Sequence, residues 1–242
     1  MKPNDSSKYQ PAIKSAKIAA IYGFAAVATS PFVALSMLTG SKMINENQPF
    51  LGALTDLKNI KAVLNPEIWG RVAIRRLFIA PATGESARIA AENFGKLPDY
   101  QRAIIYSCFI AFTGSAETLI TIKNESEQIL LSRDGVFPKP EQLKKSVSAA
   151  IPTAAIRNMT PITSLFMAKE MILQIQEKNG GEPLDKTTSA AIGIACGAIM
   201  GLVSLPSNVA TNMAIKTGNR PTLKDVFSAG FFNGWQARAM HQ

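Results

Sequence analysis

The sequence predicts an all-α membrane protein, one membrane domain spanning 1–242, and three observations carry that prediction. Thr187–Ile215 runs for 29 residues without a charged side chain, longer than the about 20 mainly apolar residues a spanning helix needs. Ile18–Gly40 gives a second uncharged run, of 23 residues. Pro31, Ser115 and Pro206 stand 84 and 91 residues apart, each closing an apolar helix entered from a polar side, so one unit is used three times. The units are repeat one, 11–96, repeat two, 97–180, and an incomplete repeat three, 181–242. The competing reading is a buried helix of a soluble α protein, but such helices rarely stay uncharged for much more than about 14 residues.

Composition narrows the functional classes. The chain is 47% hydrophobic and only 18% charged, with a net charge of +9. That balance suits nucleic acid, an anionic membrane lipid surface or an anionic solute. No basic block with interleaved aromatics is present, which argues against nucleic acid. Histidine occurs once, as His241, and the two cysteines, Cys108 and Cys196, lie in apolar stretches. They read as small core residues rather than a disulfide or metal pair. Metal binding, a cofactor site and a histidine-based triad are not expected, so an enzyme is not expected either.

Element by element, the polar and basic N-terminus contains an acid and prolines that suit neither a signal nor a transit peptide. Pro31 marks a kink in the first spanning helix, and Leu51–Val63 reads as a short amphipathic helix at the membrane surface. Arg71–Phe94 has a helical apolar pattern interrupted by Arg75, Arg76, Glu85, Arg88 and Glu92. Glu85 and Glu92 lie within about 20° of each other on a helix, with Phe78 aligned and Arg75 and Arg88 flanking. Charge on one face and apolar residues on the other suit a helix lining a watery cavity, or a soluble amphipathic helix. Tyr100–Lys123 places Ser115 where the other units have proline, with Glu117 two positions on, as Asn208 follows Pro206. A polar loop, ESEQILLSRDGVFPKP, precedes a short helix, Glu141–Ser148, and then Ala149–Leu173. Within that last segment Arg157 and Asn158 stand alone in a run uncharged up to Lys169. A lone arginine at bilayer depth costs several kcal/mol unless it meets water, a counter-ion or a ligand, making it a candidate ligand for an anion, or half of a structural ion pair. In the third unit, Gly193, Gly197 and Gly201 have the spacing that lets helices approach closely in lipid, and Pro206 kinks the run. Pro221–Ser228 gives the short helix, and Gly230–Gln242 begins the next long one.

A threefold unit of about 90 residues, with an odd helix ending in Pro-x-acidic, a surface helix and an even helix, resembles the mitochondrial solute carrier family. Where the family's odd helices have Pro-x-acidic-x-x-basic, this chain has Pro31-Phe32-Val33, Ser115-Ala116-Glu117 and Pro206-Ser207-Asn208. Trp69-Gly70-Arg71 is similar to the family's aromatic-basic-glycine turn with the last two exchanged, and Phe232-Asn233-Gly234-Trp235 repeats that turn. Ala80-Pro81-Ala82 and Pro152-Thr153-Ala154 sit where the family's even helices have prolines. Ala198–Pro206 is most similar to the fifth helix of adenine nucleotide carriers. The resemblance implies alternating-access transport of small anionic metabolites, nucleotides or carboxylates, across the mitochondrial inner membrane. It also implies substrate contacts on the even helices, at Arg157 and Asn158 and at Phe78 and Ile79, with Arg75 and Arg88 on the facing wall. An arginine followed by a neutral polar residue is closer to carboxylate carriers than to nucleotide carriers.

The departures lie in the gates. The basic partners of the odd-helix motif are replaced by Ser36, Ile120 and Thr211, and two acids by Val33 and Asn208, leaving Glu117. At the other end Glu92 and Glu170 keep the acids, whereas Gly95 and Leu173 replace the bases. Weakened gates predict leak or one-way transport in place of tight exchange. The sixth transmembrane helix is expected to be truncated, with a second copy in a homo-oligomer completing the bundle. Two readings follow: a transporter of small anionic solutes, or a degenerate, non-transporting scaffold that anchors a protein-interaction module in the membrane. The eroded motifs also suit a carrier of bacterial origin delivered to a host's mitochondria.

Overall fold

The computed structural model describes residues 6–65, 70, 73, 77, 89–90, 93–95, 97–230 and 234–237. Among them the only regular structure is helix: α1 (Ser6–Glu46), α2 (Phe50–Leu54), α3 (Leu57–Val63), α4 (Asp99–Asp134), α5 (Pro140–Lys178), α6 (Lys186–Val203), α7 (Leu205–Thr217) and α8 (Leu223–Ser228). Gly70, Ala73, Leu77, Ile89, Ala90, Asn93 and Phe94 are also helical. The helix ends follow local chemistry. Asp56 caps α3 by accepting from Lys58 N at 2.7 Å, and Asp185 caps α6 by accepting from Thr188 N at 2.9 Å. Thr222 and Asp225 form a capping box at α8, each answering backbone donors that the first turn leaves without partners. Gly135 and Gly218 end α4 and α7 in the left-handed region, at φ 73° and 69°, where a residue without Cβ is unstrained.

Several boundaries differ from the sequence-based expectation. The stretch Glu125–Asp134 is not a loop; it continues α4. Glu141–Ser148 and Ala149–Leu173 are one helix, because α5 runs unbroken through Pro152 and Pro161. Leu51–Val63 is two short helices separated at Thr55-Asp56. Pro31 lies within a continuous α1. Pro206, by contrast, sits in the first turn of α7 after a break at Ser204. A proline is tolerated there because its missing N–H would have no helical partner.

Apolar and polar residues are distributed inside out. Two described helices, α4 and α6, are long and apolar enough to cross a membrane, yet only 11% of each apolar window is buried inside the protein. Ile104 and Phe112 on α4 and Ile194, Ile199 and Leu202 on α6 are exposed. A core helix of a soluble protein would hide these side chains; their outward placement points to membrane association. Burial concentrates instead where the C-terminal halves of α1, α4 and α7 meet α3 and α5. There Leu38, Ile122, Leu130, Ala150, Ala154, Ala214 and Ile215 form one cluster.

Helix α5 packs along α4, α6 and α7. The expected close approach at Gly193 and Gly197 is not found, for nothing lies within 4 Å of a Cβ added at either. It occurs at Gly114, where a Cβ would stand 2.7 Å from Met159 Cγ and 3.0 Å from Met159 N. The end of the described chain returns to its beginning: Ala237 packs beside Gly40, and Gly234 beside Ile44.

Candidate functional site

The site follows from the register of two antiparallel helices. On α4, Thr118, Ile122 and Glu125 recur at intervals of four and three and so share a face. On α5, Ala150, Ala154, Arg157 and Asn158 form the opposing stripe, all buried. The alanines, with Gly114 on the other helix, bring the backbones close. The Arg157 guanidinium is thereby enclosed, at 6% exposure, beside Glu125 at 7%.

The fork of Arg157 meets Glu125 bidentately, Nη1 donating to Oε1 and Nη2 to Oε2, the latter at 2.7 Å. Arg157 Nε and Nη2 also donate to Asn158 Oδ1 at 3.2 and 3.1 Å. Asn158 Nδ2 donates to Thr118 Oγ1 at 3.0 Å, and the Thr118 hydroxyl donates to Gly114 O at 2.8 Å. The charge of Glu117, half-buried one stretch earlier on α4, also reaches Arg157. Four of the five N–H donors of Arg157 are thus engaged in this conformation. Its two parallel N–H donors match the oxygens of a carboxylate or phosphate, and Glu125 holds the place such oxygens would take.

A second pair ties the other end of the same helices. Arg102 on α4 binds Glu170 on α5 at 2.6 Å, Asp99 at 2.7 Å and Gly95 O at 2.7 Å. Between the two pairs, Tyr106 and Phe166 stack with centroids 4.5 Å apart. The acid Glu170 therefore has a basic partner, supplied by a different helix from the position where Leu173 stands.

Where α1, α4 and α7 converge, an ion pair and charged donors stand beside neutral hydrogen bonds. Lys42 on α1 pairs with Asp56 at 2.6 Å. Burial raises the Asp56 carboxyl, but Lys42 and the Lys58 backbone N–H together hold it below the ordinary value of 3.8. Lys216 Nζ donates to Asn45 O at 2.5 Å, Arg133 Nη1 to Lys216 O at 2.9 Å, and Ser132 Oγ to Asn59 Oδ1 at 2.5 Å. Thr211 Oγ1 donates to Thr153 Oγ1 at 3.1 Å, linking α7 to α5. Asn208 is buried on α7. Thr39 Oγ1, Ser126 Oγ, Asn212 Oδ1 and the amide of Asn124 are buried without a hydrogen-bond partner.

Of the residues singled out from the sequence, Arg157 and Asn158 come together with Thr118, and Glu117 lies nearby; Asn208 and Glu170 occupy other levels of the bundle. Arg75, Arg88, Phe78, Ile79 and Glu92 lie outside the described residues. Glu125, Arg102 and Gly114 are additions from the structure. Glu125 had a legible signal, since the apolar period through Ile122 and Ile129 continues past it without a glycine or proline until Gly135. Cys196 is buried with its Sγ 3.6 Å from Met171 Sδ, whereas Cys108 is exposed and not a core residue. A separate open groove of about 490 Å³, lined by Glu141, Lys144, Lys145, Gly218 and Arg220, lies where α5 begins and α7 ends.

No protein-family model, curated protein or solved structure matches the chain.

Proposed function

We propose that this chain is a membrane transporter of a small anionic solute, nucleotide or carboxylate, rather than an enzyme, and that it works by carrier-type alternating access. The observation that carries this reading is Arg157. It is buried at 6% exposure in a bundle whose apolar side chains face outward, and its hydrogen-bonding fork is directed at a carboxylate. A fully buried cation is expensive and needs a partner of opposite charge. An oxyanion of the solute is chemically equivalent to the Glu125 carboxylate that now fills the role.

The converging seam of α1, α4 and α7 supports the same reading. Buried polar atoms without partners cost about 1–3 kcal/mol each, and Thr39, Asn124, Ser126 and Asn212 contribute such atoms. A seam that leaves such atoms unpartnered parts more readily than one in which every buried polar group is satisfied, which suits a leaky or one-directional carrier. We place it in the mitochondrial inner membrane, on the resemblance of its repeat to that family, including the case of a bacterial chain delivered to host mitochondria. A second copy completing the bundle is part of this proposal.

Uptake of labelled ATP, ADP, phosphate and di- and tricarboxylates by proteoliposomes tests the reading. Selective uptake that Arg157→Ala abolishes is the expected result. Flat traces from protein shown to be inserted would instead favour the scaffold reading. The specific observation behind that alternative is that Arg157 is already paired bidentately with Glu125 and bonded to Asn158.

A further inference from the structure

Helices α5 and α6 are joined by the short connection 179–185 and pack antiparallel, and their seam carries sulfur at two successive levels. At the first, Cys196 on α6 donates its S–H to Met171 Sδ on α5 at 3.6 Å. Four residues back on α5 and four forward on α6, the same register sets Met167 level with Met200. Residues four apart on a helix lie within about 40° of each other and about 6 Å along the axis. Met167 and Met171 therefore share one face of α5, and Cys196 and Met200 one face of α6.

Packing alone accounts for Cys196, which is 1% exposed and behaves as a small apolar residue. It does not account for the methionines. A methionine that fills a gap hides its thioether, whereas Met167 and Met171 are 37% and 43% exposed. The seam is thus closed on the cysteine side and open on the methionine side, which gives an ion a way in.

We propose that this seam is a binding site for a soft monovalent cation, copper(I), with Cys196 and Met171 as two ligands and a third sulfur from the next turn, Met167 or Met200. Three physical arguments select that ion. Thiolate and thioether sulfurs prefer copper(I) among the first-row metals, and no group of three or more His, Cys, Asp or Glu residues that could hold a harder ion occurs among the described residues. Glu170, next to Met171 in sequence, is held by Arg102 on α4 at 2.6 Å. The geometry is close to what a metal needs: two sulfurs each about 2.3 Å from one ion stand about 3.8–4.0 Å apart at tetrahedral or trigonal angles. A shift of a few tenths of an ångström from the present 3.6 Å is easy for a side chain as flexible as methionine. The third argument is charge. On binding, Cys196 gives its S–H proton to water, a bond forms between copper and the thiolate, and the thioethers donate lone pairs. Copper stays in the +1 state, so no electron moves, and cation and thiolate sum to zero. A dication would leave a net positive charge among apolar helices, which is costly.

The site does not rest on the transport reading, for Met171 lies 14 residues beyond Arg157, about 21 Å along α5.

The test uses the full chain in phosphatidylcholine vesicles, with copper(I) kept reduced by ascorbate and competed against a colorimetric copper(I) chelator. Cys108→Ser serves as the background, because it removes the exposed thiol as a rival ligand. This background is expected to retain one copper(I) per chain, to show only sulfur around the metal in X-ray absorption, and to retain no zinc(II). Met171→Leu, a change that conserves volume, is expected to weaken retention about 10–100-fold, the loss typical even of groups that only support a metal site. Cys196→Ala abolishes retention, and whichever of Met167→Leu and Met200→Leu binds more weakly identifies the third sulfur. No retention by the background, nitrogen or oxygen neighbours around copper, or retention unchanged by Met171→Leu overturns the site. Should Cys196→Ala fail to insert, Met171→Leu and the absorption spectrum decide. Anion uptake is read in a separate assay, so failure of the copper site leaves the transport reading standing.

Discussion

The two halves of α4 are made of the wrong materials for a soluble protein. Its first half presents Ile104 and Phe112 outward at 61% and 77% exposure, while its second half buries Asn124, Glu125, Ser126, Glu127 and Gln128 in succession. Five consecutive residues span more than one full turn, so this polar segment is enclosed on every side. The contrast teaches that partitioning here is governed by what surrounds the bundle. With an apolar exterior, association comes from close packing and interhelical hydrogen bonds rather than from hiding apolar surface, and the interior is free to hold charge that pairs internally.

The sharpest way to break the comparison is to remove charge from the buried half. Glu125→Ala leaves Arg157 buried and uncompensated and is expected to lower stability by about 3–5 kcal/mol. Thermal unfolding in detergent checks it, with Phe112→Ala in the exposed half as the counterpart expected to stay within about 0.5 kcal/mol. The double change Arg157→Met with Glu125→Leu removes both charges and recovers most of the loss. If Glu125→Ala is no worse than Phe112→Ala, the buried pair contributes nothing.

Next in size is Gly114→Ala, which drives a methyl group into Met159 and its backbone. Overpacking of this kind costs about 1–3 kcal/mol, read in the same unfolding assay. Gly193→Ala, with open space around it, is expected to be neutral or slightly stabilising through helix propensity. A smaller loss, about 1 kcal/mol, is expected for Arg102→Ala, since Arg102 and Glu170 are 18% and 24% exposed and partly screened by solvent. Double-mutant coupling between Arg102 and Glu170 measures it.

The smallest effect is one of pH. The Asp56 carboxyl is held low in the folded chain, so its ionised form contributes stability that is fully present above the ordinary value of 3.8 and is lost as pH falls through the lower folded value. Asp56→Asn should therefore flatten the acid limb of a stability-against-pH curve below about pH 4. An acid limb identical to that of the wild type would remove Asp56 from this role.

Much of the helical content was legible because uncharged length is a one-dimensional property: Ile18–Gly40 lies inside α1, and Thr187–Ile215 covers most of α6 and α7. Arg157 was legible for the same reason, being a lone charge in an apolar run. The period that carries the helix through Glu125 was legible too, but its pairing with Arg157 was not, because a pair between α4 and α5 depends on register. The polarity of Glu125–Gln128 reads as a solvent-facing loop when burial is equated with hydrophobicity. The glycine stripe misled in the opposite sense. Gly193 and Gly197 have the spacing for close approach, but the helix that needed a missing side chain was α4, where Gly114 stands alone. Spacing specifies which helix faces are smooth, and tertiary geometry decides which smooth face is used.

The docking of Ala237 beside Gly40 and of Gly234 beside Ile44 also sets an order of events during synthesis. At about 5–20 residues per second, the ribosome needs roughly 10–40 s to travel from one partner to the other. Through that interval α1 lacks its last neighbours at Gly40 and Ile44. The nascent chain therefore carries an incompletely covered first helix until the segment around Trp235 has been made. A chain stopped short of it would present an incompletely covered first helix to quality control.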